Sequence, residues 1–510
     1  MTEEGRTVLA GHPVRWLTLR PALRAALPAL LAGALLASGQ APLGLWWMAL
    51  PALCWLMAQI SVCESLRGSL WRGWMGGTGY FAAALFWIVE PFMVDAARQG
   101  WMAPFALVFL ATGMALFWAL AAGAGWALGR GRLRPVALAV SFAAVELMRG
   151  YVLTGFPWAL IGHVWIDTPV VQAAAYVGPV GLTLLTTLLA ALPLVLRLPG
   201  AVAGAVVIAL LWTGGLARLA EPLPSRETPI HVRLVQPNIP QHLKWDPTLI
   251  GPQFRQQLEQ TAMPADPPPD LTIWPETALV WLLEDAAEPL AMIADASGGR
   301  PVALGVQRGD GGRYYNSLAV LGRTGQVTGL YDKHHLVPFG EYIPFGDIAA
   351  RFGIHGLAAR EGDGYSAGPG PAILDLGPLG TVLPLICYEA VFPQDLRGVP
   401  GRADWILQVT NDAWFGNLSG PYQHLAQARL RAVEQGLPLI RVANTGVSAI
   451  INARGAIVSA LPLNVEGTLD GSVPAALPAT PYARMGDLPM TALILVAGAG
   501  LLLLRRRERD

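Results

Sequence analysis

Apolar runs of nearly bilayer length follow one another through the first 218 residues, and then the pattern changes. Spans are predicted at about 22–38, 43–60, 73–91, 103–127, 134–150, 171–196 and 200–218, with one more at about 488–504. Each approaches the ~20 residues that cover a hydrocarbon core, so about eight transmembrane helices are expected. Between the last two, residues 225–480 carry more Pro, Gly and charge, and short β-rich runs replace the long apolar ones. Alternation and β-branched content predict strands at 231–236, 271–274, 302–306, 318–321, 380–386, 405–409, 439–442 and 447–451. Helices are predicted at 247–261, 282–296 and 421–435. That mixture predicts sheets covered by helices. The expected division is a seven-span membrane region over 1–220, a soluble α/β domain over 225–480, and a last helix with a basic tail over 485–510.

Composition fits this picture: at 53% hydrophobic and 14% charged, a chain of 510 residues is too apolar for an ordinary soluble protein. Formal net charge is zero, and no basic stretch is interleaved with aromatics, which argues against a nucleic-acid partner. The arginines predict orientation, because short cytoplasmic loops collect positive charge. With Arg6, Arg15, Arg20 and Arg24 inside, Arg67, Arg72, Arg130, Arg132, Arg134, Arg197, Arg505, Arg506 and Arg507 fall on the same side. The loop at 38–43 has no positive charge, and the one at 90–101 sets Arg98 against Glu90 and Asp95. Both termini are thus expected in the cytoplasm, and the 225–480 domain outside. A cleavable signal peptide ending near Ala37-Ser38-Gly39 would leave the other spans facing the same way. Cys54 and Cys63 read as small apolar residues, and the three cysteines draw neither a disulfide framework nor a zinc spacing.

The third cysteine is different. Leu383-Pro384-Leu385-Ile386 leads as a strand into Cys387-Tyr388-Glu389, and Pro393 stops the run. A thiol attacks only as thiolate, so a working Cys387 needs a base and a cationic or backbone-amide neighbourhood. Two other strand-like runs end on suitable groups, Glu276 in Trp274-Pro275-Glu276-Thr277 and Lys333 in Tyr331-Asp332-Lys333-His334. The three stand about 55 residues apart. A cysteine between Ile and Tyr is by itself an ordinary core residue; the order and spacing of all three runs favour chemistry.

Pro275-Glu276-Thr277, Asp332-Lys333-His334 and Cys387-Tyr388-Glu389 together resemble the Glu-Lys-Cys triad of the nitrilase superfamily, whose fold is an αββα sandwich. The run from Gln236 to Trp245, Tyr315-Asn316-Ser317, the run from Pro338 to Pro344 and the run from Asn411 to Gly416 resemble the signature stretches of the bacterial apolipoprotein N-acyltransferase family. So does a nitrilase-like domain placed before the last of eight spans. The resemblance implies a multi-pass protein of the bacterial inner membrane with its catalytic domain in the periplasm. It also implies transfer of an acyl chain from a membrane phospholipid, through a thioester, to the N-terminal amine of the diacylglyceryl-cysteine of an apolipoprotein. It implies Glu276 as general base, Lys333 as the charge that meets the oxyanion, and Cys387 as nucleophile, without cofactor. The residues suit these roles: a carboxylate moves protons, and a fixed cation with the backbone N–H near Tyr388 stabilises a tetrahedral intermediate. Glu341 and Glu389 match carboxylates that the family also needs, and are expected to hold Lys333 or Glu276 in place and tune them.

Trp245, Tyr388, Trp414 and Phe415 are candidates for lining an acyl or headgroup pocket, with core packing as the alternative for Trp414 and Phe415. Asn316 is a candidate to orient a substrate carbonyl, or a turn residue. No metal site is expected at His334 and His335, because neighbours on a strand face opposite ways and no third ligand is suitably spaced. Glu146 and Arg149 are three apart on a predicted span and can pair, or Arg149 can snorkel to the outer surface. Phe156-Pro157-Trp158 is placed to touch headgroups or the outer domain. Two other readings use the same chain: a membrane-anchored amidase with this triad, and a transporter with a solute-binding outer domain. One span would anchor the first, and the second would show paired broken helices and ionisable groups in its spans.

Overall fold

The computed structural model describes residues 21–344 and 364–507. Arg6, Arg15 and Arg20, on which the expected orientation leans, lie outside them, and so do residues 345–363. Helices stand in every stretch where the apolar pattern predicts a span: α1 (Pro21–Leu36), α2 (Trp46–Ser61), α3 (Leu66–Ala84), α4 (Ala103–Leu128), α5 (Arg134–Arg149), α6 (Ala174–Leu196), α7 (Leu198–Ala220) and a final helix over Leu488–Arg507. Among the described residues, four stretches are long and apolar enough to cross a membrane: Ala96–Leu128, Pro169–Leu196, Leu198–Ala220 and Leu488–Arg507. The expected count of about eight is therefore met, by length and composition, for four. The helices α1, α2 and α5 have 16 residues each, about 24 Å against a hydrocarbon core of about 30 Å.

The third stretch departs most from its expected bounds. Helix α3 begins at Leu66, where the Ser65 hydroxyl caps the Gly68 N–H at 3.1 Å. It ends at Ala84, and Phe86–Met93 continues as 3₁₀ turns containing Pro91, which has no N–H to donate. Arg67 and Arg72 masked that start in the sequence; the Arg72 guanidinium instead donates to the Gln59 carbonyl of α2. Helices α1 and α3 touch backbone to backbone at Gly33 and Gly76, where a Cβ on Gly33 would stand 1.8 Å from the Gly76 carbonyl oxygen. Small residues permit such contacts in a setting where apolar burial alone does not drive association.

Glu146 and Arg149 are fully buried and paired at 2.7 Å, so Arg149 does not snorkel. The Trp118 indole donates to Glu146 at 2.9 Å, and Arg149 donates to the carbonyls of Phe156 and Trp158. The pair thus fastens the 150–158 loop to the bundle, and these hydrogen bonds, which leave only the Nε of the Arg149 guanidinium without a partner, offset the burial of both charges.

The soluble domain is two sheets. In the first, strands lie in the order 467–472, 231–236, 271–273, 302–310, 313–321, 327–332, with 279–282 also beside 302–310; the second runs 457–461, 448–451, 439–443, 405–410, 381–386, 374–375. The first holds β1 (His231–Gln236), β2 (Leu271–Ile273), β3 (Leu279–Leu282), β4 (Val302–Asp310), β5 (Arg313–Leu321), β6 (Val327–Asp332) and β13 (Gly467–Ser472). The second holds β7 (Leu374–Asp375), β8 (Thr381–Ile386), β9 (Trp405–Thr410), β10 (Leu439–Ala443), β11 (Ser448–Ile451) and β12 (Ile457–Leu461). Side chains alternate across each strand. In β4, Leu304 and Val306 pack under α8 (Ile250–Ala262) and α9 (Ala287–Ala296), while Ala303 faces the other sheet. In β9, Ile406 packs under α10 (Gly420–Gln435), while Leu407 and Val409 face inward. The layers are therefore helix, sheet, sheet, helix. The helix expected over 282–296 is shorter: β3 ends at Leu282, and α9 begins at Ala287.

Candidate active site

Three strand ends converge. Strand β2 stops at Ile273 and the chain turns through Pro275, Glu276 and Thr277, with Thr277 at φ +46°. Gly305 of β4 makes room: a Cβ there would lie 2.5 Å from the Glu276 Cα. Strand β6 stops at Asp332, and the Lys333 N–H donates to the Asn316 carbonyl on β5 at 2.8 Å. Strand β8 stops at Ile386, and Cys387 opens a 3₁₀ turn from a left-handed φ of +51°.

The Lys333 ammonium lies 2.9 Å from Glu341 and 3.4 Å from Glu276, and all three side chains are buried. The Asn316 amide donates to Glu276 at 2.7 Å and to Glu341 at 3.1 Å, while its buried oxygen has no partner. The second oxygen of Glu276 accepts from the Asn411 N–H at 2.8 Å, and that of Glu341 from the Val337 N–H at 2.8 Å. Burial presses the Lys333 pKa down, yet the two carboxylates and Cys387 outweigh it and hold the ammonium well above its ordinary value. For the thiol the balance goes the other way: burial and Glu276 raise the Cys387 pKa, against opposing pulls from Lys333 and a hydrogen bond with Thr410. The resting thiol is thus protonated and needs a base at the moment of attack.

Glu389 joins two of the strand ends. It accepts from the Ile386 N–H at 2.7 Å, the His334 N–H at 2.8 Å and the Tyr331 hydroxyl at 2.8 Å, which ties the Lys333 segment to the Cys387 turn. Tyr388 is buried against Phe392, ring centroids 4.9 Å apart. Asn316 sits inside β5, not in a turn, and its amide faces the two carboxylates. Trp245 is half-buried and joins none of these hydrogen bonds, and half-buried Trp414 packs on the core. Phe415 is buried against Trp87 and Trp158 of the membrane region, at 4.9 and 5.6 Å.

Several groups escaped the sequence. Buried Lys244 donates to the Glu276 carbonyl at 3.2 Å and the Thr277 hydroxyl at 2.7 Å, pinning the turn that carries Glu276. Burial lowers its pKa to about 8. The expectation that His334 and His335 face apart fails, because both lie beyond the end of β6. Asp395 arrives as a third group, 3.3 Å from His334 and 3.0 Å from His335. The three offer ligand atoms within 4.8 Å of one another, so spacing does not exclude a metal site at His334 and His335. Burial lowers the His334 pKa, but Asp395 and Glu389 outweigh it and raise it from 6.5 to about 9. A raised histidine contributes stability that is complete below pH 6.5 and lost as pH rises through about 9. The thermal midpoint of the detergent-solubilised protein is therefore expected to fall across that window, and His334→Gln to flatten the fall. An unchanged slope in the variant would remove His334 as its cause.

The profile described as the apolipoprotein N-acyltransferase N-terminal domain matches residues 32–192, and that of carbon-nitrogen hydrolase matches 232–482. The chain is 41% identical to the apolipoprotein N-acyltransferase of Caulobacter vibrioides, over 92% of this chain and 93% of that protein. It is 39% identical to the protein of that name from Sinorhizobium fredii, over 88% and 90%. A solved CN-hydrolase superfamily protein from Xanthomonas campestris aligns at 22% identity and a TM-score of 0.36, covering 48% of this chain and 91% of its own.

Proposed function

Because the chain belongs to the apolipoprotein N-acyltransferase family, we propose that it moves an acyl chain from a membrane phospholipid onto Cys387, and from there to the N-terminal amine of a diacylglyceryl apolipoprotein. The observation that carries this reading is the buried Lys333 ammonium between Glu276 and Glu341, whose charge pulls the Cys387 thiol pKa down, together with four apolar stretches of membrane length among the described residues.

In the first half-reaction Glu276 takes the thiol proton as sulfur attacks the ester carbonyl. Lys333 and the Tyr388 N–H meet the oxyanion. The carbon–oxygen bond breaks, and Glu276 returns the proton to the departing lysophospholipid. In the second, Glu276 removes a proton from the incoming amine, which attacks the thioester; the carbon–sulfur bond breaks, and sulfur is reprotonated. Glu341 and Glu389 act as positioning residues through Lys333 and the Cys387 turn. The substrate-contact roles of Trp245, Asn316, Trp414 and Phe415 belong to this proposal too, except that Asn316 commits its amide N–H groups to Glu276 and Glu341, so its free oxygen can accept from the incoming amine but cannot orient a carbonyl. Eight spans, cytoplasmic termini and a periplasmic catalytic domain belong to it as well.

Purified protein given labelled phospholipid alone is expected to accumulate hydroxylamine-sensitive label on Cys387 and to release lysophospholipid. A diacylglyceryl peptide with a free amine discharges the label into an amide, and its N-acetylated form does not. Rapid release of free fatty acid without acceptor would make the protein a hydrolase. A fusion near Glu227 is expected to report the periplasmic side, and a cytoplasmic signal there would overturn the topology.

A further inference from the structure

We propose that Arg441, Asp412 and His424 form a positioning relay that holds the backbone carbonyl of Cys387 from behind and so fixes the turn that presents the thiol. The inference rests on the reading of Cys387 as nucleophile. Cys387 occupies a left-handed backbone region at φ +51° that residues with a Cβ rarely adopt, so something must hold it there. The strand before it cannot do so alone, because pairing of β8 with β9 ends at Ile386 and Val409.

What meets the Cys387 carbonyl is a buried side-chain chain. The oxygen accepts from His424 Nε2 at 3.0 Å and from Gln408 Nε2 at 3.3 Å. On its other side, His424 Nδ1 lies 2.9 Å from an Asp412 oxygen, to which the Thr410 hydroxyl also donates at 3.1 Å. Arg441 of β10 donates to the second Asp412 oxygen at 2.5 Å and, through its Nε, to the Val447 carbonyl at 3.2 Å. Thr410, Gln408, Asp412, His424 and Arg441 are all completely buried. Each ring nitrogen of His424 faces an oxygen, and each also has a donor beside it: an Arg441 guanidinium nitrogen 3.3 Å from Nδ1 and the Gln408 amide nitrogen 3.2 Å from Nε2. Burial and Arg441 lower the His424 pKa, so the ring is a neutral imidazole with one N–H. With that proton on Nε2 it donates to the Cys387 carbonyl, while Nδ1 accepts from Arg441, which also holds Asp412. Gly446 completes the packing: a Cβ there would lie 2.3 Å from an Asp412 oxygen.

The helix that carries His424 is itself fixed to the membrane helices through the preceding residue. Gln423 accepts from the indoles of Trp158 at 2.7 Å and Trp87 at 3.2 Å, and donates to the Ala84 carbonyl at 3.0 Å. The rings of Trp158 and Phe415 lie 5.7 and 5.5 Å from that of His424. A hold on the nucleophile's carbonyl thus leads back to the end of α3 and to the loop that Arg149 fastens. A buried ion pair that merely cemented α10 to the second sheet would have no reason to end on this one carbonyl.

The test compares His424→Phe, which keeps the ring volume and removes both ring nitrogens, with His424→Gln, whose amide N–H can reach where Nε2 stands. If the relay positions Cys387, His424→Phe slows thioester formation by about 100-fold, the cost expected of a misplaced reacting atom. The donor KM stays within about twofold, and His424→Gln recovers to within about tenfold of the parent. Alkylation of Cys387 by iodoacetamide, which needs no lipid, should slow by about tenfold or more in His424→Phe. Thioester formation or alkylation at the parental rate in folded His424→Phe would overturn the relay, and so would a folded His424→Gln as slow as His424→Phe. If His424→Phe does not fold, the rate of His424→Gln against that of Asp412→Asn decides: recovery in the first and loss in the second supports the relay, and any other result overturns it. Absence of acyl label on parental Cys387 would instead sink the thioester reading, while the alkylation rates still report on the relay.

Discussion

Glu276→Gln is expected to slow acylation of Cys387 by about 10²–10⁴ while leaving the fold in place. Two effects combine. The variant loses the group that takes the thiol proton, and the thiol needs such a group because burial raises its pKa. The amide also fits the site badly. One oxygen of Glu276 receives Asn316 and Lys333, and the other receives the Asn411 N–H. An amide has one oxygen for two sets of donors, so its NH₂ must face one of them, at a cost of about 1–3 kcal/mol for the unsatisfied group. Single-turnover label transfer from phospholipid measures the rate, and a thermal midpoint in detergent measures the stability. A variant that forms thioester at the parental rate would take the base role away from Glu276.

Lys333→Met is expected to be worse in two separable ways. It leaves Glu276 and Glu341 facing one another with Asn316 as their shared donor. Removing one partner of a buried pair typically costs about 3–5 kcal/mol. It also removes the cation from the oxyanion, worth about 10²–10³ in rate. The double variant Lys333→Met, Glu341→Gln deletes one of the stranded charges and should recover most of the stability but none of the rate. Thioester formation that returns together with the melting temperature would make Lys333 a structural residue only.

The features of this site that were legible in the sequence are those whose signal is local. Leu383 to Ile386 reads as a strand whatever it pairs with, and so do the runs before Glu276 and Lys333, so the placement of these residues at strand ends follows from short apolar or β-rich runs that stop at polar residues. The same holds for the helices, whose apolar runs locate them within a few residues. Locality also explains the failures. Arg67 and Arg72 broke the apolar run and hid the first turn of α3, although the chain folds Arg72 back onto Gln59. Strand β13 has the sequence Gly467-Thr-Leu-Asp-Gly-Ser472, with little β propensity and a half-exposed surface; it is a strand because each of its residues pairs with β1 from His231 to Gln236.

The order of residues tells which side-chain types are present, where regular elements run, and that a thiol, a carboxylate and an ammonium each follow a strand. What each of them touches is set by how the segments pack. That packing brings Asn316 between two carboxylates, sets Lys244 under the turn of Glu276, places Asp395 beside His334 and His335, and runs Arg441, Asp412 and His424 to the Cys387 carbonyl. The reason is physical. Periodicity of burial is written along the chain, because each residue meets the apolar side or the polar side at its own position. A hydrogen bond between His424 and Cys387, 37 positions apart, exists only where two segments cross, and its partner is set by strand order and register.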